Sequence, residues 1–412
     1  MIINSKNYSG ACDCGKTHKM ETEFCVIESG ALKNIDTYLN KYNLSGYSVA
    51  IYDENTYKAT QNLHPKTDKQ IILSPDNLHA DNHGIALAFE QVPKNCDYLI
   101  AVGSGTIHDI TRYIAYQLNI PFVSCPTAAS VDGFCSSVAA LTWDGYKKTF
   151  TAVAPKIVVA DLDVIANAPM FLTNSGFGDM IGKFIALSDW KISNILTNEY
   201  FCKTIYNMTL NATKSVVDSA KQIKNGDVSA YQKLIYGLLM SGLAMQLLGN
   251  SRCASGAEHH ISHIIEMQPD GLDVCSSALH GEKVGVGTLI ASKVYHDCLN
   301  KNIEWQDYKE IDFTDVKSMF GDRLIESIET ENAVDSIKTI TAELITNNFD
   351  KISDVIKGIA TYDKLLTIYN MLGVKSSLED IEVDAKKLPL IIKYSPYVRN
   401  RLTLMRLLRL AK

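Results

Sequence analysis

Short apolar runs alternate with amphipathic stretches along residues 1–170. The strand candidates are YSVAIYD (47–53), QIILSP (70–75), DYLIAVG (97–103), IPFVSCP (120–126) and KIVVADLDVI (156–165). Between them, DNHGIALAFEQV and HDITRYIAYQL carry apolar residues at helical spacing. Strands that alternate with helices in this way predict a parallel sheet in a doubly wound arrangement.

The pattern changes after about residue 170, where long amphipathic helices begin and continue to the C-terminus. We therefore predict two domains. Residues 1–170 form an α/β, Rossmann-like domain, and residues 171–412 form an all-α domain. Within the first domain, SSVAALTWDGYKKTFTAV has Asp144-Gly145 between β-rich runs, which predicts an inserted hairpin.

Composition and charge argue against some classes of function. Apolar residues make up 46% of the 412 residues, as in ordinary globular proteins, and the net charge of -6 argues against general binding of nucleic acid. The longest apolar run, residues 234–249, is shorter than the roughly 20 residues that span a bilayer, so it predicts a buried helix and no integral membrane segment. The polar N-terminus and scattered cysteines favour a cytoplasmic protein with reduced thiols.

The N-terminal segment CDCGKTH has two interpretations. Cys12, Cys14 and His18 could begin a zinc site, since thiolate and imidazole are typical zinc ligands. No second ligand pair follows nearby, which favours a simple tight hairpin.

The stretch AVGSGTIHDITR (101–112) is a candidate nucleotide-binding turn. It follows a predicted strand and opens a predicted helix, whose N-terminal N–H groups can bind a pyrophosphate. Gly103 and Gly105 permit a tight turn, although the third glycine of the dinucleotide fingerprint is absent. A plain structural turn is the alternative. Asp53 ends the first predicted strand, where its carboxylate could bind a ribose hydroxyl or cap the next helix.

The stretch SRCASGAEHHISHIIE (251–266) contains three histidines and predicts a metal site. On a helix His259 and His263 share a face, whereas His260 points elsewhere and is a bystander. Asp179 is expected at a helix start after the glycine-rich turn NSGFGD, and His280 at another helix start. One carboxylate and two imidazoles suit Zn²⁺, Fe²⁺ or Ni²⁺. The alternatives are a helix cap for Asp179 and a buried structural histidine at position 280.

Together these motifs resemble a known enzyme superfamily. The order of the nucleotide turn, GxGD, xEHxxSHxxE and HGExVxxG is similar to that of iron-dependent alcohol dehydrogenases, glycerol dehydrogenases and dehydroquinate synthases. Within that superfamily, PTAASVDGF (126–134), SRCASGAEHHISH and RLTLMRLLRL look most like bacterial sn-glycerol-1-phosphate dehydrogenases. The resemblance covers nearly the whole chain and implies a dehydroquinate synthase-like fold.

The resemblance also implies roles for individual residues. It makes Asp179, His259 and His280 the metal ligands, with Asp179 also close to substrate. It makes His263 and Asp132 the catalytic and substrate-binding residues. It assigns NAD(P)H to the glycine-rich turn, the PTxxS loop and a position beyond it: Gly103, Gly105, Thr106, Ile107, His108, Asp109, Thr127, Ser130 and Ser136. The strand-end position of Asp53 adds that residue to the cofactor candidates.

The activity implied is reversible reduction of dihydroxyacetone phosphate to sn-glycerol 1-phosphate, a step of phospholipid biosynthesis. The expected cofactors are NAD(P)H and one divalent metal, zinc first, with nickel or iron as alternatives. The substrate is then a small phosphorylated triose, whose phosphate we assign to Arg252 or, second, to Lys148. We also expect a homo-oligomer, a dimer or larger. The alternatives are a glycerol or polyol dehydrogenase of the same fold and, less favoured, a catalytically inactive nucleotide-binding relative.

Overall fold

A computed structural model describes residues 1–301 and 303–412 of the chain. Its strands are β1 (Ile2–Asn4), β2 (Gly10–Ala11), β3 (Thr17–His18), β4 (Phe24–Glu28), β5 (Ser48–Asp53), β6 (Lys69–Leu73), β7 (Tyr98–Gly103), β8 (Phe122–Pro126), β9 (Val138–Trp143), β10 (Tyr146–Thr151) and β11 (Ile157–Asp161).

Seven strands form one sheet in the order β1-β4-β11-β8-β7-β5-β6. All neighbours pair in parallel except β1 and β4, which are antiparallel at one edge. The predicted parallel sheet is therefore confirmed. Strands β4 and β1, however, lie outside the five predicted strands.

Strand β5 shows how the sheet forms two apolar cores. Its side chains alternate between the two faces, so Ala50 and Tyr52 pack in one cluster and Val49 and Ile51 in the other. All four are fully buried. A continuous apolar run such as this one fits a parallel strand that is covered on both faces.

Two hairpins lie outside the main sheet. In the β9–β10 hairpin, Asp144 and Gly145 both have positive φ, 50° and 79°, as a two-residue hairpin turn requires. Strands β2 and β3 pair around the CDCGKTH segment. Both predicted hairpins are confirmed.

The helices follow in chain order. They are α1 (Ile35–Lys41), α2 (Glu54–Ala59), α3 (Asn82–Phe89), α4 (Gly105–Leu118), α5 (Leu162–Ala166), α6 (Met170–Thr197), α7 (Lys203–Asp218), α8 (Ala220–Lys224), α9 (Val228–Leu248), α10 (Ala257–Met267), α11 (His280–Asn300), α12 (Phe313–Glu331), α13 (Ala342–Lys357), α14 (Tyr362–Leu372), α15 (Leu388–Tyr394) and α16 (Leu404–Leu407).

One predicted strand ends earlier in the structure than the sequence indicated. The predicted strand 156–165 stops at Asp161, whose side chain accepts a hydrogen bond from the Asp163 N–H and so caps α5.

The apolar run 234–249 forms most of α9, the buried helix that we expected. Across residues 1–301 and 303–412, no helix has both the length and the apolar character that crossing a bilayer requires.

Contacts within the chain define two compact units. The first contains Met1–Gly176 and Lys214–Asn250, and the second contains Phe177–Thr213 and Ser251–Lys412. The predicted division into domains 1–170 and 171–412 stays a prediction. The contact-based units differ from it because they group residues 214–250 with the N-terminal residues.

Candidate metal centre and nucleotide turn

Helix α6 carries Asp179 in its interior, not at its start. The expectation of a glycine-rich turn before Asp179 is wrong, and so is the helix-cap alternative. Gly178 serves close packing instead, because a Cβ there would collide with the carbonyl oxygen of Gly281 in α11. The small residue therefore brings the backbones of α6 and α11 together beside Asp179.

The three histidines of α10 have different surroundings. His259 and His263 lie one turn apart, with ring centroids 5.9 Å from each other. His260 is only 1% exposed, and neither ring nitrogen has a hydrogen-bond partner within the described part of the chain. Burial, followed by the charges of Arg401 and other arginines, lowers the pKa of His260 well below its ordinary value. His260 is therefore a neutral core residue.

His280 is the first residue of α11, as expected. Ligand atoms of Asp179, His259 and His280 all lie within 4.8 Å of one another, and His259 Nε2 is 3.7 Å from Asp179 Oδ1. The three predicted ligands thus converge within one compact unit.

A carboxylate lies behind each of the two imidazoles. Glu258 Oε1 is 2.6 Å from His259 Nδ1, and Glu266 Oε1 is 2.7 Å from His280 Nδ1. A carboxylate that accepts a hydrogen bond from the Nδ1–H group fixes the orientation of the ring, so the Nε2 lone pair points away from the carboxylate. Metal-ligating histidines usually have this arrangement. No role was predicted for these glutamates, although both stand in the xEHxxSHxxE motif.

Lys183 is a further residue of the site, which the sequence motifs did not indicate. Its ammonium donates to Asp179 Oδ1 at 2.7 Å and to the Ala254 carbonyl at 3.0 Å. Burial alone would raise the pKa of Asp179, but Lys183, His259 and His280 lower it to about 2. Asp179 is therefore ionised at neutral pH, the form in which a carboxylate binds a metal.

His263 lies beside the ligand cluster. Its ring stacks on that of His280 at a centroid distance of 5.8 Å and an interplanar angle of 27°. Desolvation lowers the pKa of His263 well below the ordinary value, and the neighbouring imidazoles of His280 and His259 add to this shift. The carboxylate of Glu266 opposes the shift. Part of the His263 residue remains exposed. His263 is therefore a neutral imidazole, and it holds an added proton less tightly than an ordinary histidine.

These residues fit a divalent metal. The donors are one ionised carboxylate and two imidazoles whose Nδ1 atoms are held by Glu258 and Glu266. Such a set is typical of zinc and of other first-row ions, and three protein ligands leave a position for a substrate oxygen.

The predicted nucleotide turn joins β7 to α4. A Cβ on Gly103 would lie 2.7 Å from Ile107 Cβ, and one on Gly105 would lie 3.1 Å from a methyl of Val131. The Ser104 side chain forms no capping hydrogen bond within the described residues. The turn is therefore closely packed, and it leads into the first N–H groups of α4, which can bind an anion.

Three predicted nucleotide residues make structural contacts. His108 is 1% exposed, and its ring nitrogens contact the Ser104 carbonyl at 2.9 Å and Ser124 Oγ at 2.8 Å. Asp109 accepts from buried Arg112 at 2.6 Å, and the Ser136 hydroxyl donates to the Val138 carbonyl. The imidazole of His108 is therefore not positioned to bind a phosphate.

The PTxxS loop has polar groups next to the turn. The Thr127 N–H donates to the Gly103 carbonyl at 3.0 Å, which ties the loop to the end of β7. The buried Ser130 Oγ has no partner among residues 1–301 and 303–412, as expected for a hydroxyl that binds a cofactor. Asp132 accepts a 2.8 Å hydrogen bond from Ser241. Asp53 caps α2 through the Thr56 N–H, as the cap interpretation predicted, and its binding of a ribose hydroxyl stays a prediction.

The two residues predicted to bind the substrate phosphate differ in burial and in the contacts that they make. Arg252 is 3% exposed, and its guanidinium donates to Glu199, to the Asp189 carbonyl and to the Leu402 carbonyl. These contacts make it a structural residue and argue against its role as the phosphate anchor. Lys148 is exposed, with Nζ 5.6 Å from the centre of the Phe150 ring.

Known proteins with similar sequences point to one enzyme family. The sequence model described as iron-containing alcohol dehydrogenase matches residues 26–169. Glycerol-1-phosphate dehydrogenase [NAD(P)+] of Geobacillus stearothermophilus is 31% identical over 96% of this chain and 94% of its own. The protein of the same name from Halalkalibacterium halodurans is 36% identical over 74% of this chain and 78% of its own.

Solved structures agree on the fold. A probable glycerol dehydrogenase from Sinorhizobium meliloti 1021 superposes with a TM-score of 0.63, over 95% of this chain and 94% of that one, at 17% identity. An iron-containing alcohol dehydrogenase from Corynebacterium glutamicum gives a TM-score of 0.60 over 95% of both chains, at 13% identity. At these identities the similarity shows the fold alone.

The fold is that of iron-containing alcohol dehydrogenases, whose sequence model matches residues 26–169. Within that class, the chain belongs to the glycerol-1-phosphate dehydrogenase family.

Proposed function

We propose that the chain catalyses the reversible NAD(P)H-linked reduction of dihydroxyacetone phosphate to sn-glycerol 1-phosphate, with a divalent metal held by Asp179, His259 and His280. The observation that carries the proposal is the convergence of these three side chains, with a carboxylate behind each imidazole, in a chain whose relatives carry this enzyme name. We assign zinc first, because the donor set suits it, and nickel or iron as alternatives.

The metal, when bound, supplies Lewis-acid polarisation of the substrate ketone. Glu258 and Glu266 hold the imidazoles in the orientation that exposes Nε2, and Lys183 holds the Asp179 carboxylate. Burial raises the pKa of Glu258 to about 7, so its hydrogen bond to His259 is sensitive to pH near neutrality. These residues prepare the ligand set before substrate arrives.

His263 is the proposed proton-transfer residue. Reduction of a ketone to an alcohol needs one proton at the oxygen, and a neutral imidazole beside the ligands can relay it. Asp132 stays assigned to substrate on the strength of the SxDG motif, with Ser241 fixing one of its oxygens.

The nicotinamide cofactor supplies the hydride. We assign it to the β7–α4 turn at Gly103, Gly105, Thr106, Ile107 and Asp109, to Thr127, Ser130 and Ser136, and to Asp53. The uncapped start of α4 and the unpartnered Ser130 hydroxyl, judged within the described residues, support this assignment. Asp109 acts through Arg112, which it holds against the carbonyls of Gly133 and Val138.

The substrate phosphate needs a cation. Because Arg252 is committed to structural contacts, Lys148 becomes the first residue to test. A cytoplasmic location and a homo-oligomeric state stay predictions from the sequence.

The experiment is a product analysis with metal-replete protein. Dihydroxyacetone phosphate is incubated with NADH or NADPH, and the product is tested with enantiomer-specific enzymes for sn-glycerol 1-phosphate and its mirror image. The proposal expects the 1-phosphate, loss of turnover on chelation, and recovery on adding Zn²⁺, Ni²⁺ or Fe²⁺. Production of the 3-phosphate, or turnover of glycerol alone, would contradict it, and the latter outcome would favour the polyol dehydrogenase alternative.

A further inference from the structure

The N-terminal hairpin contains a second cluster of metal-ligating side chains. The Cys12 N–H donates to the Lys16 carbonyl at 3.0 Å, and the Gly15 N–H donates to the Cys12 carbonyl at 2.9 Å. Gly15 has a φ of +85°, in the left-handed region that favours glycine. This tight turn brings the sulfur atoms of Cys12 and Cys14 and a ring nitrogen of His18 within 4.8 Å of one another.

The orientation of His18 resembles that of a metal ligand. Its Nδ1 lies 2.8 Å from the Leu247 carbonyl oxygen. Because a carbonyl only accepts hydrogen bonds, the proton resides on Nδ1 and the Nε2 lone pair points the other way. Nε2 lies 3.2 Å from Cys14 Sγ. His18 is 7% exposed, so the ring is fixed by its surroundings.

These distances suit a zinc ion. With Zn–S near 2.3 Å and Zn–N near 2.0–2.1 Å, sulfur and nitrogen ligands of one tetrahedral ion lie about 3.5 Å apart. The separation of Cys14 Sγ from His18 Nε2 is close to that value. Neither cysteine forms a disulfide within the described residues, and both are partly accessible to an incoming ion.

From this geometry we propose that Cys12, Cys14 and His18 bind a structural zinc ion, separate from the metal assigned to Asp179, His259 and His280. Binding releases the two thiol protons, so both sulfurs bind as thiolates while His18 remains neutral. The remaining position of the tetrahedron is taken by a ligand outside the hairpin.

The ion would stabilise the attachment of the hairpin to α9. His18 reaches the last turn of α9 through Leu247, and Gln246 of that turn accepts hydrogen bonds from the N–H groups of Glu21 and Thr22, just beyond the hairpin. A ligated His18 holds its ring in this position, whereas without an ion the turn is held by backbone hydrogen bonds, by the β2–β3 pairing and by the contact of His18 with Cys14. Zinc is therefore expected to raise the Tm of the whole protein.

The direct test uses cobalt in the full-length reduced protein. Co²⁺ replaces zinc in tetrahedral sites, and thiolate ligands give it an intense near-ultraviolet sulfur-to-metal charge-transfer absorption, which carboxylate and imidazole ligands do not. We expect this absorption in the unmodified protein and its disappearance when Zn²⁺ displaces cobalt. The His259→Ala variant should retain it, so the result does not depend on the proposed catalytic metal.

Substitutions assign the ligands. Cys12→Ser and Cys14→Ser should each abolish or strongly weaken the charge-transfer band and lower zinc content by one equivalent, and His18→Gln should weaken zinc binding. Cys275→Ser is the matched control, because Cys275 is an exposed cysteine elsewhere in the chain, and its band should be unchanged. Serine substitution of the seven other cysteines then identifies whether one of them completes the set.

Two outcomes would overturn the proposal. One is the absence of the charge-transfer band in fully reduced, cobalt-loaded protein. The other is a band that persists in both Cys12→Ser and Cys14→Ser. In the first case, a disulfide between the two thiols before reduction would identify the site as a redox pair.

Discussion

His259 and His260 are adjacent in sequence but differ in chemistry, because successive residues of a helix point in different directions. His259 has Glu258 behind Nδ1 and Asp179 near Nε2, whereas His260 is buried without a hydrogen-bond partner in the described residues. Only the first arrangement provides a ligand.

We expect His259→Ala to lose the catalytic metal and to reduce turnover by more than roughly 100-fold, since Lewis-acid stabilisation is worth several kcal/mol. His260→Ala should keep the metal and its kcat, but its Tm should fall because truncation leaves a cavity. Metal analysis, kinetics and calorimetry on both variants test this. Equal loss of metal in the two would show that the assignment of helix faces is wrong.

Glu266 offers a test of the carboxylates behind the imidazoles. Glu266→Gln removes the charge that orients His280, so metal affinity should fall about 10–100-fold while the fold is retained. Competition with a chromophoric chelator measures the change. Glu329→Gln, an exposed substitution on α12, is the control. An unchanged affinity for Glu266→Gln would mean that His280 is held by packing alone.

At the scale of elements, the site depends on how closely α6 and α11 approach. A Cβ at Gly178 would collide with the Gly281 carbonyl, next to His280. We expect Gly178→Ala to separate the helices, lower Tm and weaken metal binding. Gly358→Ala is the control, since its Cβ would meet only carbonyl oxygens at 3.2 Å and beyond. Normal metal binding in Gly178→Ala would contradict the close-packing account.

A buried ion-pair network holds the C-terminal segment. Asp335 and Arg406 are both fully buried and 2.8 Å apart, and Arg409 also donates to Asp335. Burial alone would raise the pKa of Asp335, but Arg406 and Arg409 lower it below the ordinary 3.8. Because the folded-state pKa is the lower one, this stabilisation is present above about pH 4 and disappears as the pH falls through the folded-state value.

Asp335→Asn should therefore cost roughly 3–5 kcal/mol of unfolding free energy at pH 7, because it leaves buried guanidinium groups without their counter-charge. The difference from the unmodified protein should shrink as the pH falls below about 4. Denaturant titrations across this range measure it. A difference that stays constant with pH would show that the network contributes packing and not charge.

The elements that sequence could predict are those with local signals. Helix α10 and the β9–β10 hairpin follow from periodicity and from Asp144-Gly145. The environment of Asp179 was not predictable, because glycines that permit helix contact look the same in sequence as glycines that make a turn. The structural contacts of Arg252 were not predictable for a similar reason, since its acceptors include carbonyl oxygens at distant positions.

At the scale of the whole molecule, the chain combines a parallel sheet with a helical unit that contains all three proposed metal ligands. Membership of the glycerol-1-phosphate dehydrogenase family agrees with both features. We therefore propose that the substrate is a phosphorylated ketone. Its reduction depends on a metal, and its remote phosphate contributes binding energy.

Truncating the substrate tests that claim most directly. The measurement compares kcat/KM for dihydroxyacetone phosphate and dihydroxyacetone, using metal-replete protein at saturating NAD(P)H. A charge-assisted phosphate contact is worth about 1.5–3 kcal/mol, so we predict a loss of at least about tenfold to a hundredfold, with kcat falling as well as KM rising. Equal kcat/KM for the two ketones would contradict the account and identify a polyol dehydrogenase instead.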